Sequence, residues 1–163
     1  MIKLLVFDVD GTLTNGKITY DANGVETKSF DVKDGMAIES WVKKFGFKAA
    51  FITGRNSVIV DKRGRELGVE YIYQGVKDKT LVLDEILKKE NLTLANVAAI
   101  GDDLNDIKML QSVKLSFCPS DAANEVKDMV SIVSSKSGGN GAAREMIEYI
   151  LKMYDLELKS LWL

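Results

Sequence analysis

Short, mostly apolar runs alternate with longer amphipathic ones along this chain. Residues 1–6 read Met-Ile-Lys-Leu-Leu-Val, residues 48–53 contain Ala-Ala-Phe-Ile, and residues 97–101 contain Val-Ala-Ala-Ile before Gly101. Nearly continuous apolar runs of this length predict strands buried on both faces of a parallel sheet. Shorter strands are predicted over 69–73, 113–117 and 130–133. Helices are predicted over 36–45 and 56–67, closed by Gly46 and Gly68, and over 79–90, where Leu83, Ile86 and Leu87 share one face. Further helices are predicted over 104–110, 122–126 and 142–154. Residues 17–20 and 25–30 flank Asp21-Ala22-Asn23-Gly24, whose Asn-Gly signals a hairpin turn. Strand–helix alternation of this kind predicts an α/β fold with a doubly wound, mostly parallel sheet and right-handed crossovers. The hairpin, at about 14–30, is the only insertion and is too small for a separate domain. The 163 residues therefore read as one domain, 1–163, ending in an apolar tail over 154–163.

Composition narrows the chemistry. Apolar residues make up 46% and charged residues 28%, which disfavours disorder, and a net charge of −2 leaves no nucleic-acid footprint. No run approaches membrane-spanning length and no signal peptide is visible. Cys118 is the only cysteine, which excludes an internal disulfide and fits a reducing cytoplasm. There is no histidine. Ser-His-Asp and zinc–histidine chemistries are thereby excluded, and a general acid or base must be a carboxylate, lysine, tyrosine or Cys118.

Four polar clusters fall at predicted strand or helix ends, where functional groups of such sheets gather. The first strand runs into Asp8-Val9-Asp10-Gly11-Thr12, and alternation points Asp8 and Asp10 the same way. Two carboxylates so close are tolerated if a cation sits between them or one keeps a proton. Thr53-Gly54-Arg55 follows the second core strand, Lys79 opens a helix, and Asp102-Asp103-Leu104-Asn105-Asp106 follows the third. Each has a plain alternative. Asp10-Gly11 can be only a turn, Asp102 or Asp103 an N-cap, Thr53 a cap for the next helix, and Lys79 a solvated lysine. A lysine at a helix N-terminus opposes the macrodipole unless an anion is near. Together, in this order, they suit phosphoryl transfer. Asp8 and Asp102 offer the oxygens Mg²⁺ prefers, Thr53 can donate to a phosphate oxygen, Lys79 can balance charge, and Asp10 can give and take a proton.

Asp-x-Asp-Gly-Thr, a strand-terminal Thr, a Lys and Gly-Asp-Asp-x-x-Asp, in this order, resemble the motifs of the haloacid dehalogenase superfamily, in its phosphatase branch. The resemblance implies a Rossmann-like core and an aspartyl-phosphate on Asp8, with Asp10 as general acid and base. It implies Mg²⁺ held by the Asp8 side chain, the Asp10 carbonyl and Asp102, with Asp103 and Asp106 just outside. The chain looks capless, and capless members of this size often use tetramer neighbours as the lid, which implies a homotetramer. Phe30-Asp31-Val32-Lys33-Asp34-Gly35, Arg63, the segment from Tyr73 to Lys79 and Gly138-Gly139-Asn140-Gly141-Ala142-Ala143-Arg144-Glu145 are similar to those of the branch acting on eight-carbon sugar-acid phosphates. The implied substrate is 3-deoxy-D-manno-octulosonate (Kdo) 8-phosphate, on the route to lipopolysaccharide, with contacts from Thr12, Asp34, Gly54, Arg55 and Arg63. Phosphatases of nine-carbon sialic-type sugar phosphates share most of this. They tend to carry Glu and Lys where this chain has Arg55 and Glu66. A sugar-acid phosphate is doubly anionic, and Arg55 and Arg63, eight apart, could share a helix face toward it. Arg63 could instead pair with a nearby acid. The 138–141 loop can be a plain helix lead-in, and the resemblance implies a mobile segment that closes an active site, its own or a neighbour's. The apolar tail, with Leu158, Leu161, Trp162 and Leu163, is expected to pack on its own subunit or at an oligomer interface.

Rival readings are a signalling receiver domain, a non-catalytic oligomeric or regulatory module, and a phosphomutase. The receiver domain places its acidic pair first and its acceptor later, the reverse of this order. The module is expected to have lost catalytic residues, and phosphomutases usually carry a cap.

Overall fold

The structure, a computed structural model, describes residues 1–161. Strands β1 (Leu4–Phe7), β4 (Lys48–Ile52), β5 (Tyr71–Tyr73), β6 (Val97–Ile100), β7 (Leu115–Cys118) and β8 (Ile132–Val133) form a six-stranded parallel sheet in the order β5-β4-β1-β6-β7-β8. Strands β2 (Thr19–Tyr20) and β3 (Glu26–Thr27) pair antiparallel as the predicted hairpin. The chain lays β4 and β5 on one side of β1, then returns to lay β6, β7 and β8 on the other. The reversal falls between β1 and β6, which pair from Leu4↔Val97 to Phe7↔Ile100. At such a switch point the loops diverge and a crevice opens beyond the strand C-termini.

All residues of β1 and β6 are buried, as continuous apolar strands between two helical layers must be. Alternation on β1 divides the core. Leu5 and Phe7 face Ile38, Trp41, Val60, Met146 and Ile150, from the layer that holds α1 (Val32–Glu39), α2 (Val58–Leu67) and α6 (Ala142–Lys152). Leu4 and Val6 face Leu83, Ile86, Met109 and Val126, from α3 (Lys79–Glu90), α4 (Ile107–Ser112) and α5 (Asn124–Lys127). Trp41 lies in a π-helical turn, Ser40–Lys44, and its buried indole N–H donates to the Lys48 carbonyl at 2.9 Å.

Caps move several helix starts from where apolar periodicity places them. The Asp31 side chain accepts from the Lys33 and Asp34 amides, so α1 starts at Val32 rather than 36. Ser57 caps α2, which starts at Val58. Arg55 therefore lies on the loop before the helix and shares no helix face with Arg63. Residues 104–110 divide into a 3₁₀ turn, Leu104–Asp106, and α4. The tail packs on its own subunit through Leu156, Leu158 and Leu161, while Trp162 and Leu163 lie outside the described residues.

Candidate active site

Asp8 follows β1 on the Leu4–Val6 parity, which aims it at the α3 layer. Lys79, the first residue of α3, meets it there: Nζ donates to Asp8 Oδ1 and to Asp106 Oδ1, each at 2.6 Å. All three side chains are at most 7% exposed. Asp106 is held by the turn after β6, because its Oδ2 accepts from the Asp102 and Asp103 amides at 3.0 and 3.2 Å. Asp102 accepts from the Thr12 hydroxyl at 3.2 Å. Carboxylate oxygens of Asp8, Asp102 and Asp106 lie within 4.8 Å of one another.

Three carboxylates against one ammonium leave an excess of negative charge in a buried place. The acids respond as buried like charges do. Burial, then Asp106, holds the Asp8 carboxyl well above its ordinary range, against the pull of Lys79. Burial and Asp106 push Asp102 up to about 6. Burial works against the charge on Lys79, but Asp8 and Asp106 outweigh it and raise its pKa. A hard divalent cation answers both the excess charge and the all-oxygen donor set. Gly11 fits the same crowding: its φ is +94°, and a Cβ there would stand 2.0 Å from Asp102 Oδ2.

The structure separates the two acids after β1. β1 ends at Phe7, so Asp10 sits on the following turn, outside the carboxylate cluster, and Lys28 donates to its Oδ1. Asp103 is also apart, capping the 3₁₀ turn through the Leu104 amide at 2.8 Å. Thr53 is buried, with its backbone pinned by the Tyr73 carbonyl and the Val76 amide. Gly54 lies close to Asn105: a Cβ at 54 would stand 3.7 Å from the Asn105 side chain.

The remaining predicted contacts have other partners. Asp34 is buried and accepts from the Gly141 and Arg144 amides at 3.3 and 2.9 Å, so it ties α1 to the start of α6. Arg55 donates to Glu26 at 3.2 Å. Arg63 lies over the Phe30 ring, 5.7 Å from its centroid, and pairs with Glu66 at 3.5 Å. Cys118 is buried, which raises its thiol to about 11 and removes it as an acid–base candidate near neutral pH. The 138–141 loop is docked against the Gly11–Thr14 turn: the Gly139 amide donates to the Thr12 carbonyl at 3.0 Å and that of Gly138 to Asp121 at 2.9 Å. Sequence reasoning missed Lys28 and Glu26. Their signal is Glu-Thr-Lys at the end of the hairpin, which puts both charges on one face.

The profile of the haloacid dehalogenase-like hydrolases matches residues 69–146. A 3-deoxy-D-manno-octulosonate 8-phosphate phosphatase of Haemophilus influenzae is 38% identical over 151 residues, covering 93% of this chain and 83% of that protein. The chain belongs to the haloacid dehalogenase-like hydrolases, in the branch of the Kdo 8-phosphate phosphatases. As a member of that branch it is a phosphoric monoester hydrolase. Its Escherichia coli relative of the same description is 37% identical over 150 residues, 92% of this chain and 79% of that one. Two solved phosphatases of the branch superpose over 93% of this chain. That of Moraxella catarrhalis, in complex with magnesium, phosphate and Kdo, has a TM-score of 0.89 at 41% identity and is covered over 86% of its length. The cobalt-bound enzyme of H. influenzae has 0.87 at 38% identity, covered over 88%. Among the described residues no helix is long and apolar enough to cross a membrane.

Proposed function

We propose that this phosphatase hydrolyses Kdo 8-phosphate to Kdo and inorganic phosphate, as a Mg²⁺-dependent enzyme on the route to lipopolysaccharide. The observation that carries the reading is the buried Asp8–Asp102–Asp106 cluster with Lys79 inside it, at the switch point of the sheet. Mg²⁺ held by the Asp8 and Asp102 side chains and the Asp10 carbonyl would offset phosphate charge, so that an anionic nucleophile can approach.

The residues then divide the work. Asp8 attacks phosphorus, the bond from phosphorus to the sugar oxygen breaks, and Asp10 gives its proton to that oxygen. Asp10 next takes a proton from water, whose oxygen attacks the phosphorus of the aspartyl-phosphate. The bond to Asp8 breaks, phosphate leaves, and both side chains return to their starting state. Lys79 and Thr53 hold charge and phosphate oxygens throughout. Thr12, Gly54, Arg55 and Arg63 complete the proposed substrate contacts, with Asp103 and Asp106 supporting the metal ligands, whereas buried Asp34, expected among those contacts, instead ties α1 to α6. The reading carries with it a homotetramer in the cytoplasm. Exposed hairpin residues Ile18, Tyr20 and Val25 support a face that another subunit covers.

The test is phosphate release, with Mg²⁺ and with chelator, from Kdo 8-phosphate, a nine-carbon sialic-type 9-phosphate, hexose phosphates and p-nitrophenyl phosphate. Strong Mg²⁺-dependent preference for Kdo 8-phosphate is expected. Preference for the nine-carbon ester would move the substrate, and no release from any would favour a regulatory module.

A further inference from the structure

The hairpin supplies nothing to the chemistry described above, yet its charges reach into the site. Lys28, next after β3, donates to Asp10 Oδ1 and stands 2.8 Å from Glu26 Oε1. Glu26 Oε2 accepts from Arg55 at 3.2 Å, on the loop after β4. The Lys28 side chain is only 2% exposed, and those of Asp10 and Glu26 are 18% exposed. A lysine that well covered is uncommon and costs several kcal/mol unless paired, so its two carboxylates set its position. Burial opposes its charge, but Asp10 and Glu26 outweigh burial.

Asp10 needs such a partner. It sits on the turn after β1, and an aspartate there that is free to change rotamer can turn its carboxylate away from the leaving oxygen. Lys28 occupies Oδ1, which leaves Oδ2 as the oxygen that hands over and takes back a proton.

We propose that Lys28 is a positioning residue for Asp10. It keeps that carboxylate from turning away from the leaving oxygen, and Glu26 on the hairpin fixes Lys28 in turn. This rests on the phosphatase reading, in which Asp10 serves both steps. Protonation of the leaving group matters for a sugar alkoxide and little for p-nitrophenolate, whereas water activation is needed with either ester.

The experiment compares wild type with Lys28→Met, Lys28→Arg and Glu26→Gln on Kdo 8-phosphate and p-nitrophenyl phosphate, with melting curves for each. Lys28→Met is expected to lower kcat on Kdo 8-phosphate about a hundred-fold with little change in KM, the size of effect that misplacing a catalytic group produces. On the aryl ester its nitrophenol burst should persist while steady turnover falls. Lys28→Arg should recover much of the loss, and Glu26→Gln should fall between. Unchanged kcat in Lys28→Met, or a raised KM alone, overturns the inference and leaves the phosphatase reading standing. So does equal loss of burst and turnover together with a lowered melting temperature, which marks a merely structural hairpin. A wild type that releases phosphate from neither ester removes the phosphatase reading and this inference with it.

Discussion

Lys79 and Asp106 form an ion pair at 2.6 Å with side chains 1% and 0% exposed, at the foot of the crevice between β1 and β6. The pair links the first residue of α3 to the turn after β6, and the same ammonium serves Asp8. A helix N-terminus repels a lysine unless anions compensate, and here two do. Lys79→Met leaves three carboxylates with no internal cation. Breaking a buried pair from one side costs about 3–5 kcal/mol. Urea unfolding in chelator should show a loss of that order, phosphate release should vanish, and added Mg²⁺ should raise the melting temperature more in the variant than in wild type.

Asp8→Asn is nearly isosteric and relieves the carboxylate crowding. It should remain folded, with metal-free stability equal to wild type or higher, because a carboxyl held well above its ordinary range is replaced by a neutral group. With Asp8 as the proposed nucleophile of a covalent mechanism, this variant should lower turnover at least about a thousand-fold. Near-native phosphate release from this variant would make the nucleophile assignment wrong.

The metal-free protein should lose stability as pH rises. The Asp102 carboxyl is raised to about 6 and that of Asp8 is raised too, from an ordinary 3.8. Between those values the folded state keeps protons that the unfolded chain releases, so unfolding gains on folding as pH climbs through about 4 to 6. Glu26, lowered by its hydrogen bond from Lys28, acts in the opposite sense only below its ordinary 4.5. Thermal melts in chelator at pH 5 and pH 7.5 should rank the acid sample higher. Mg²⁺ should stabilise most at the higher pH, where the ligands are ionised.

Gly138→Ala tests the docked loop. A Cβ at 138 would stand 1.9 Å from the Gly11 carbonyl oxygen, so one of the two backbones must move. Overpacking of this kind costs about 1–3 kcal/mol. The displaced turn carries Asp10, so kcat on Kdo 8-phosphate should fall along with the melting temperature. Full activity in a normally melting variant would show that the contact does not hold the turn.

Much of this protein is legible in local pattern. The apolar runs that became β1, β4 and β6 announce a doubly buried sheet, because only strands covered on both faces dispense with polar positions. Asp8 and Thr53 directly follow the first two runs, Asp102 follows the third after Gly101, and Lys79 opens a periodic helix after an Asp78 cap. The hairpin is written in Asn-Gly. Tertiary structure decided what periodicity does not encode. Strand order brings Asp8 beside Asp102, 94 positions later, by pairing β1 with β6. The turn after β6 turns Asp106 inward to Lys79 and leaves Asp103 as a cap, though both are equally acidic in sequence. Ser57, by capping α2, separates Arg55 from the helix of Arg63. Lys28 reads as one solvated lysine among many until the hairpin folds over Asp10. The reason is the same in each case. A side chain's neighbours along the chain are set by backbone geometry, whereas its neighbours across the fold depend on which loops close, and that depends on the burial of the whole sheet.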